Sequence, residues 1–213
     1  MDASARELLL AGAGELGIAL DEVQTGQLLA LLELVVEWNQ KFNLTAITEP
    51  VAMVQKHLLD SLTVQRWIKG PFVTDVGTGA GFPGLPLAIV NPTLRFTLVD
   101  STAKKIRFVE HAIQALGLKN VSAVCSRAET WTPGQRAASV VSRALGSLPD
   151  FVRHAGHLCA NSGRLLAMKG RGPSAELAAG LPRGWRVTQV EQLHVPGLPD
   201  ERRLVIIERE RKG

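Results

Sequence analysis

The chain has 213 residues, 46% of them hydrophobic and 21% charged, with a formal net charge of +4 at pH 7. That composition supplies one sizeable core, excludes the apolar-poor profile of a disordered protein, and permits an anionic partner without requiring one. Residues 28–38 form the longest apolar stretch, but Glu33 and Glu37 interrupt it and it is too short to span a bilayer; residues 1–10 lack the basic start and apolar run of a signal peptide, so no membrane role is expected. Cys125 and Cys159 form no CxxC pair and read as small buried hydrophobes in a reduced, cytoplasmic setting. The five histidines show no ligand spacing, and no metal is expected; His154 and His157 read as solvated or capping residues.

Residues 1–70 are expected to form a helical extension. Asp21 is placed to cap a helix whose third position is Gln24, a variant of the capping box, and Leu28, Leu31, Leu32, Val35 and Trp38 recur along one face. Thr48 is placed to cap the next helix, with Pro50 in its first turn, and on that helix His57, Asp60 and Ser61 share a face. From Phe72 short apolar runs alternate with amphipathic helices. Strands are predicted at 72–76, 95–99, 121–125, 139–142 and 164–168, and helices at 85–90, 103–116 and 148–160, with Gly117 closing the second. Two further strand-like runs, 185–195 and 202–208, have no helix between them. Residues 71–213 are therefore expected to form one α/β unit, a parallel sheet with right-handed crossovers and a C-terminal antiparallel hairpin at its edge.

The first strand runs into Asp75-Val76-Gly77-Thr78-Gly79-Ala80-Gly81-Phe82-Pro83-Gly84. Glycines here let the backbone turn tightly and approach a ligand. The formal match to the dinucleotide fingerprint at Gly79, Gly81 and Gly84 is weak; counted from the strand end, the run is Gly77-x-Gly79-x-Gly81, one residue tighter. Pro83 and Pro86 delay the helix start, and Asp75 puts an acid in the strand end, which suits a nucleoside with a sulfonium tail better than a pyrophosphate on a helix terminus. Asp100, ending the next strand, is placed to accept from both hydroxyls of a ribose. S-Adenosylmethionine is the expected cofactor, with Gly77, Gly79, Gly81 and Asp100 around it.

Ligands of such sheets lie at the carboxyl ends of the strands. There the chain carries Arg127 with Glu129 after the third strand, Arg143 at the end of the fourth, and Lys169 and Arg171 after the fifth. A cationic rim beside the pocket suits a polyanionic substrate, because phosphate contacts supply much of the affinity for nucleic acid; pairing of each base with a carboxylate such as Glu129 or Asp100 is the alternative. Arg143 is singled out because a cation ending a buried strand needs a partner or a ligand.

These segments resemble the bacterial RsmG family, also called glucose-inhibited division protein B. The resemblance rests on Trp38-Asn39-Gln40-Lys41-Phe42-Asn43-Leu44-Thr45, His57-Leu58-Leu59-Asp60-Ser61, residues 75–86, Leu98-Val99-Asp100-Ser101, Ser142-Arg143-Ala144, Met168-Lys169-Gly170 and Glu201-Arg202-Arg203-Leu204-Val205-Ile206, in order along nearly the whole chain. It implies a Rossmann-like class I methyltransferase fold and methyl transfer from S-adenosylmethionine to N7 of a guanine in 16S ribosomal RNA, free or in the 30S subunit. It also implies cofactor contacts at Gly77, Phe82, Ala128, Glu129 and Arg143, with Phe82 standing where other members carry Leu. Arg143 and Lys169 are expected to orient the nucleotide, and Arg127, Lys169, Arg171 and Arg202 to contact RNA. A single chain is the expected working unit. A nicotinamide oxidoreductase, a non-catalytic RNA-binding protein and a methyltransferase of proteins or small molecules are the competing readings.

Overall fold

A computed structural model describes residues 1, 3–143, 146–170, 174–178 and 180–210. Helices come first: α1 (Ala3–Glu15), α2 (Glu22–Phe42), α3 (Pro50–Met53) and α4 (Asp60–Leu62), with a π-helical turn, Val54–Leu59, joining the last two. The Asp21 carboxylate accepts from Gln24 N–H while the Gln24 side chain accepts from the Asp21 N–H, so the capping box is complete. The cap of α3 is Glu49 rather than Thr48: its two oxygens accept from Val51 and Ala52 N–H, and Pro50 takes the first helical position.

The sheet follows as β1 (Phe72–Val76), α5 (Gly84–Val90), β2 (Arg95–Asp100), α6 (Ala103–Ala115), β3 (Val121–Cys125), β4 (Ala137–Arg143), α7 (Leu148–Ala155), β5 (Cys159–Lys169), α8 (Ser174–Ala178), β6 (Trp185–Leu193) and β7 (Arg202–Arg209). Its order is β3-β2-β1-β4-β5-β7-β6. The first five strands are parallel, and β7 enters antiparallel between β5 and the edge strand β6. This is the expected Rossmann-like arrangement with its antiparallel hairpin.

Period-two alternation sorts side chains onto two faces. Val141, Leu166, Leu204 and Ile206 face a core shared with Leu9, Leu28, Leu32 and Leu58 from the N-terminal helices, and with α5 and α6. Val140, Leu165, Val205 and Ile207 face α7, which contributes Leu148, Phe151 and Val152. The apolar face of the first helices is thus buried directly on the sheet.

Several boundaries differ from expectation by one or two residues, among them the start of β4 at Ala137 and the end of β6 at Leu193, and two differ by more. The helix over 148–160 ends at Ala155, passes through a short 3-10 turn, and gives way to β5 at Cys159. A Cβ on Gly156 would lie 2.9 Å from the Trp185 ring, so the hairpin packs against the point where the helix stops. The β4–β5 register shifts between Ala137 and Ser139, and a Cβ on Gly163 would lie 2.9 Å from the Ala138 carbonyl oxygen; polar residues in this irregular stretch hide a strand start from a periodicity count. Cys159 is buried, and burial pushes its thiol pKa up to about 12, whereas Cys125 is exposed on the edge strand β3, correcting the reading of both as buried.

Candidate active site

The glycine loop is built by backbone geometry that other residues resist. Gly77, Gly79 and Gly81 adopt φ of 69°, 60° and 85°, a left-handed region costly for residues with a Cβ. Asp75, fully buried at the end of β1, ties the loop together: one oxygen accepts from the Thr78 hydroxyl at 2.6 Å and from Gly84 N–H at 2.8 Å. Gly84 is required there, since a Cβ would fall 2.7 Å from that oxygen. The other oxygen, Oδ1, is buried without a hydrogen-bond partner among the described residues. Burial raises the Asp75 pKa to about 6, against the lowering effect of the Thr78 and Gly84 bonds.

Asp100 reaches across from β2. One carboxylate oxygen accepts from Gly79 N–H at 3.0 Å and the other from Thr102 N–H at 2.8 Å, leaving further acceptor capacity on both. Lys105 Nζ lies 3.7 Å away. These groups open on a cavity of about 320 Å³ at the carboxyl ends of β1, β2 and β3, whose lining includes Gly77, Asp100, Arg127, Ala128, Glu129 and His154. A larger cavity of about 800 Å³, near Asp21, Arg95 and Asn120, lies toward the opposite ends of these strands and holds none of the loop residues. The smaller one is the candidate site, because a doubly wound sheet presents its ligand groups at the carboxyl edge.

The predicted residues fall into three groups. Gly77, Asp100, Arg127, Ala128 and Glu129 line the one cavity, with Gly79 bonded to Asp100 behind it. Phe82 and Arg143 lie on another side of the loop: the Arg143 Cζ sits 5.7 Å from the Phe82 ring centroid, and Phe82 stacks on His57 at 4.8 Å. Arg143 Nη1 donates to the Lys56 carbonyl oxygen at 2.9 Å and to Asp60 at 3.0 Å, and Arg202 Nε donates to Asp60 at 3.2 Å. Lys169 stands apart, 2.8 Å from Glu176 and donating to the Gly146 carbonyl oxygen. Gly81 shapes the turn, a Cβ there colliding with Leu85. Arg171 lies outside the described residues.

The rim is thus cationic but mostly paired: Arg143 and Arg202 with Asp60, Lys169 with Glu176, and Lys105 with Asp100, as the pairing alternative expected for Asp100. Among these bases Arg127 is exposed and makes no ion pair among the described residues. Sequence reading missed His154, which lies 3.5 Å from Glu129 and helps wall the cavity from α7; no local signal brings an α7 side chain to the end of β3. The His57 contact with Phe82 was equally invisible. His57 Nε2 pairs with the Thr45 hydroxyl at 3.1 Å, and Thr45 N–H donates to the Asn39 side chain. Burial, then the Arg143 cation, lowers the His57 pKa to about 4, so its ring is neutral near pH 7.

Residues 24–206 match the family described as "GidB: rRNA small subunit methyltransferase G". A relative from Nitrosococcus oceani named "Ribosomal RNA small subunit methyltransferase G" is 44% identical over 213 residues, covering 100% of this chain and 99% of its own. One of the same name from Ectopseudomonas mendocina is 47% identical over 205 residues, 95% of each chain. Among solved structures, TrmN from Thermus thermophilus is similar with a TM-score of 0.57 at 20% identity, over 81% of this chain and 53% of that one. A SAM-dependent methyltransferase from Aquifex aeolicus is similar with a TM-score of 0.56 at 19% identity, over 73% of this chain and 92% of that one. The structural likenesses show the shared fold.

Proposed function

The chain belongs to the rRNA small subunit methyltransferase G family, and from that premise we propose that it transfers the methyl group of S-adenosylmethionine to N7 of a guanine in 16S ribosomal RNA. The observation that carries this reading is the meeting of the glycine turn, the Asp100 carboxylate and the pair Ala128 and Glu129 around one cavity at the carboxyl ends of β1 to β3.

The residues present fit the cofactor. Asp100 is almost buried yet keeps lone pairs free for a ribose. A Cβ added to Gly79 would meet nothing within 4 Å, so its glycine is explained by its positive φ and leaves open space above the turn. Asp75 Oδ1 is a buried acceptor without a donor among the described residues. When bound, S-adenosylmethionine supplies a methyl group activated by a sulfonium. Guanine N7 offers an in-plane lone pair and no proton to remove, so a direct displacement asks the protein for no general base or metal. Its work is to hold the acceptor in line and exclude water; such positioning can supply roughly 7–11 kcal/mol in favourable intramolecular cases. Gly77, Gly79, Asp100, Ala128 and Glu129 hold the cofactor, and Phe82 with Arg143 borders it on the side of the N-terminal helices. Arg143 and Lys169 orient the nucleotide, leaving N7 open, while Arg127, Arg202 and Arg171 take phosphates. Lys169 keeps one ammonium hydrogen beyond its bonds to Glu176 and the Gly146 carbonyl, so a phosphate there shares the lysine with the Glu176 carboxylate. The target base must be unpaired or extruded to enter.

The test is transfer of labelled methyl from S-adenosylmethionine to 16S RNA and to 30S subunits, with the modified base mapped. Label at N7 of one guanine is expected; a chain that binds S-adenosylhomocysteine but labels no RNA overturns the substrate.

A further inference from the structure

Asp60 stands at the start of α4, in the N-terminal helical region, with its side chain 4% exposed. Each of its oxygens is engaged by a different arginine: Oδ2 by Arg143 Nη1 at 3.0 Å and Oδ1 by Arg202 Nε at 3.2 Å. The two arginines come from separate strands. Arg143 ends β4 and is paired in register with Met168 of β5, which is paired in turn with Leu204 of β7. Their strands are therefore two apart, roughly 10 Å at ordinary strand spacing. Arg143 lies two residues beyond Val141 and Arg202 two before Leu204, so both project on the face covered by the N-terminal helices. The shared carboxylate draws the two guanidiniums together there.

The trio of side chains carries a net charge of +1, with each arginine side chain 25% exposed. Arg143 commits Nη1 to Asp60 and the Lys56 carbonyl oxygen; its Nε and Nη2 make no hydrogen bond among the described residues. Arg202 Nη1 donates to the Glu201 carbonyl oxygen, and Nη2 lies 3.7 Å from the exposed Asp200. Arg143 is thus held on one edge by a buried anchor with donors open on the other, whereas Arg202 is held by Asp60 and the Glu201 carbonyl and exchanges only the exposed Asp200 for an incoming phosphate. Planar guanidiniums match the oxygens of a phosphodiester, and holding them in advance lowers the ordering cost of binding.

We propose that Asp60 is a positioning residue that holds Arg143 and Arg202 together as a clamp for one backbone phosphate of the RNA, so that the N-terminal helices set where the substrate strand lies relative to the methyl donor. This deepens the RNA reading and rests on it. The sign of the effect separates positioning from simple charge. Removing an acid from a basic rim raises the local positive charge, and a field acting alone would tighten RNA binding. A lost anchor loosens both arginines and weakens it.

The test uses the full chain with Asp60→Asn, reading kcat and KM for 16S RNA in methyl transfer, retention of the RNA on filters at two salt concentrations, and thermal unfolding. The expected result is a fall in kcat/KM of about tenfold or more together with weaker RNA retention, in a protein that still unfolds cooperatively. Retention that is unchanged or tighter, with kcat/KM intact, overturns the proposal. If Asp60→Asn does not fold, Arg202→Gln decides: it is expected to raise the KM for RNA while S-adenosylhomocysteine affinity stays at the wild-type value, and a wild-type KM overturns the clamp. Failure of the underlying functional reading has a different signature, no methyl transfer to RNA by the unaltered chain; filter retention needs no turnover and still judges the clamp.

Discussion

Asp100 divides its oxygens between Gly79 N–H and Thr102 N–H, so the proposed ribose contact would fall on a carboxylate already fixed in place. Asp100→Ala removes the ribose contacts and releases the glycine turn together. Hydrogen bonds to a charged group are worth about 1.5–3 kcal/mol each, and the expected outcome is an S-adenosylhomocysteine affinity lower by about 10- to 100-fold in calorimetric titration; an unchanged affinity would refute the ribose role. His57 gives a pH signature. The unfolded chain protonates this ring near its ordinary value of 6.5 and the native chain only near 4, so its contribution to stability is fully present above pH 6.5 and is lost as the pH falls toward 4. Asp75 has the opposite sign: its native pKa of about 6 lies above the ordinary 3.8, so its contribution is present at low pH and lost as the pH rises through 6. The two oppose each other over a shared window, and a variant is needed to separate them. In denaturant titrations the stability advantage of wild type over His57→Gln is expected to shrink by about 1 to 3 kcal/mol between pH 7 and pH 4; a gap independent of pH contradicts the neutral buried ring.

At the scale of elements, legibility followed how local the cause is. The capping box at Asp21 and Gln24 and the left-handed Gly117 closing α6 depend on neighbours within a few residues, and both formed as read. Strands β1 and β3 have the predicted bounds because their apolar runs stop at turn residues. The end of α7 and the early start of β5 were misplaced because they answer to Trp185 and to β4, partners distant in the chain. The π-helical turn at Val54–Leu59 carries no composition signal; there the Asp60 N–H bonds to the Gln55 carbonyl oxygen, widening the helix beside His57. Resemblance pointed to His57 and Asp60 as a shared motif, but the partners that give them a role, Phe82, Arg143 and Arg202, come from the glycine loop and two strands distant in sequence.

Across the whole molecule the N-terminal helices and the sheet share one apolar core, in which Leu9, Leu28 and Leu58 pack with Phe96, Leu166 and Ile206. Scanning calorimetry is therefore expected to show a single transition with equal calorimetric and van't Hoff enthalpies; two resolved transitions would mark residues 1–70 as an independent unit. No described helix is long and apolar enough to cross a membrane. Read alone, the order of residues determined the strand–helix alternation, the glycine turn and the acid ending β2, because periodicity, backbone freedom at glycine and strand ends are properties of short segments. Only the tertiary structure decided which cations are held and by whom. Ion pairing depends on which side chains the sheet order and the N-terminal helices bring within a few ångströms, and Asp60 meets Arg202 across 142 positions of sequence.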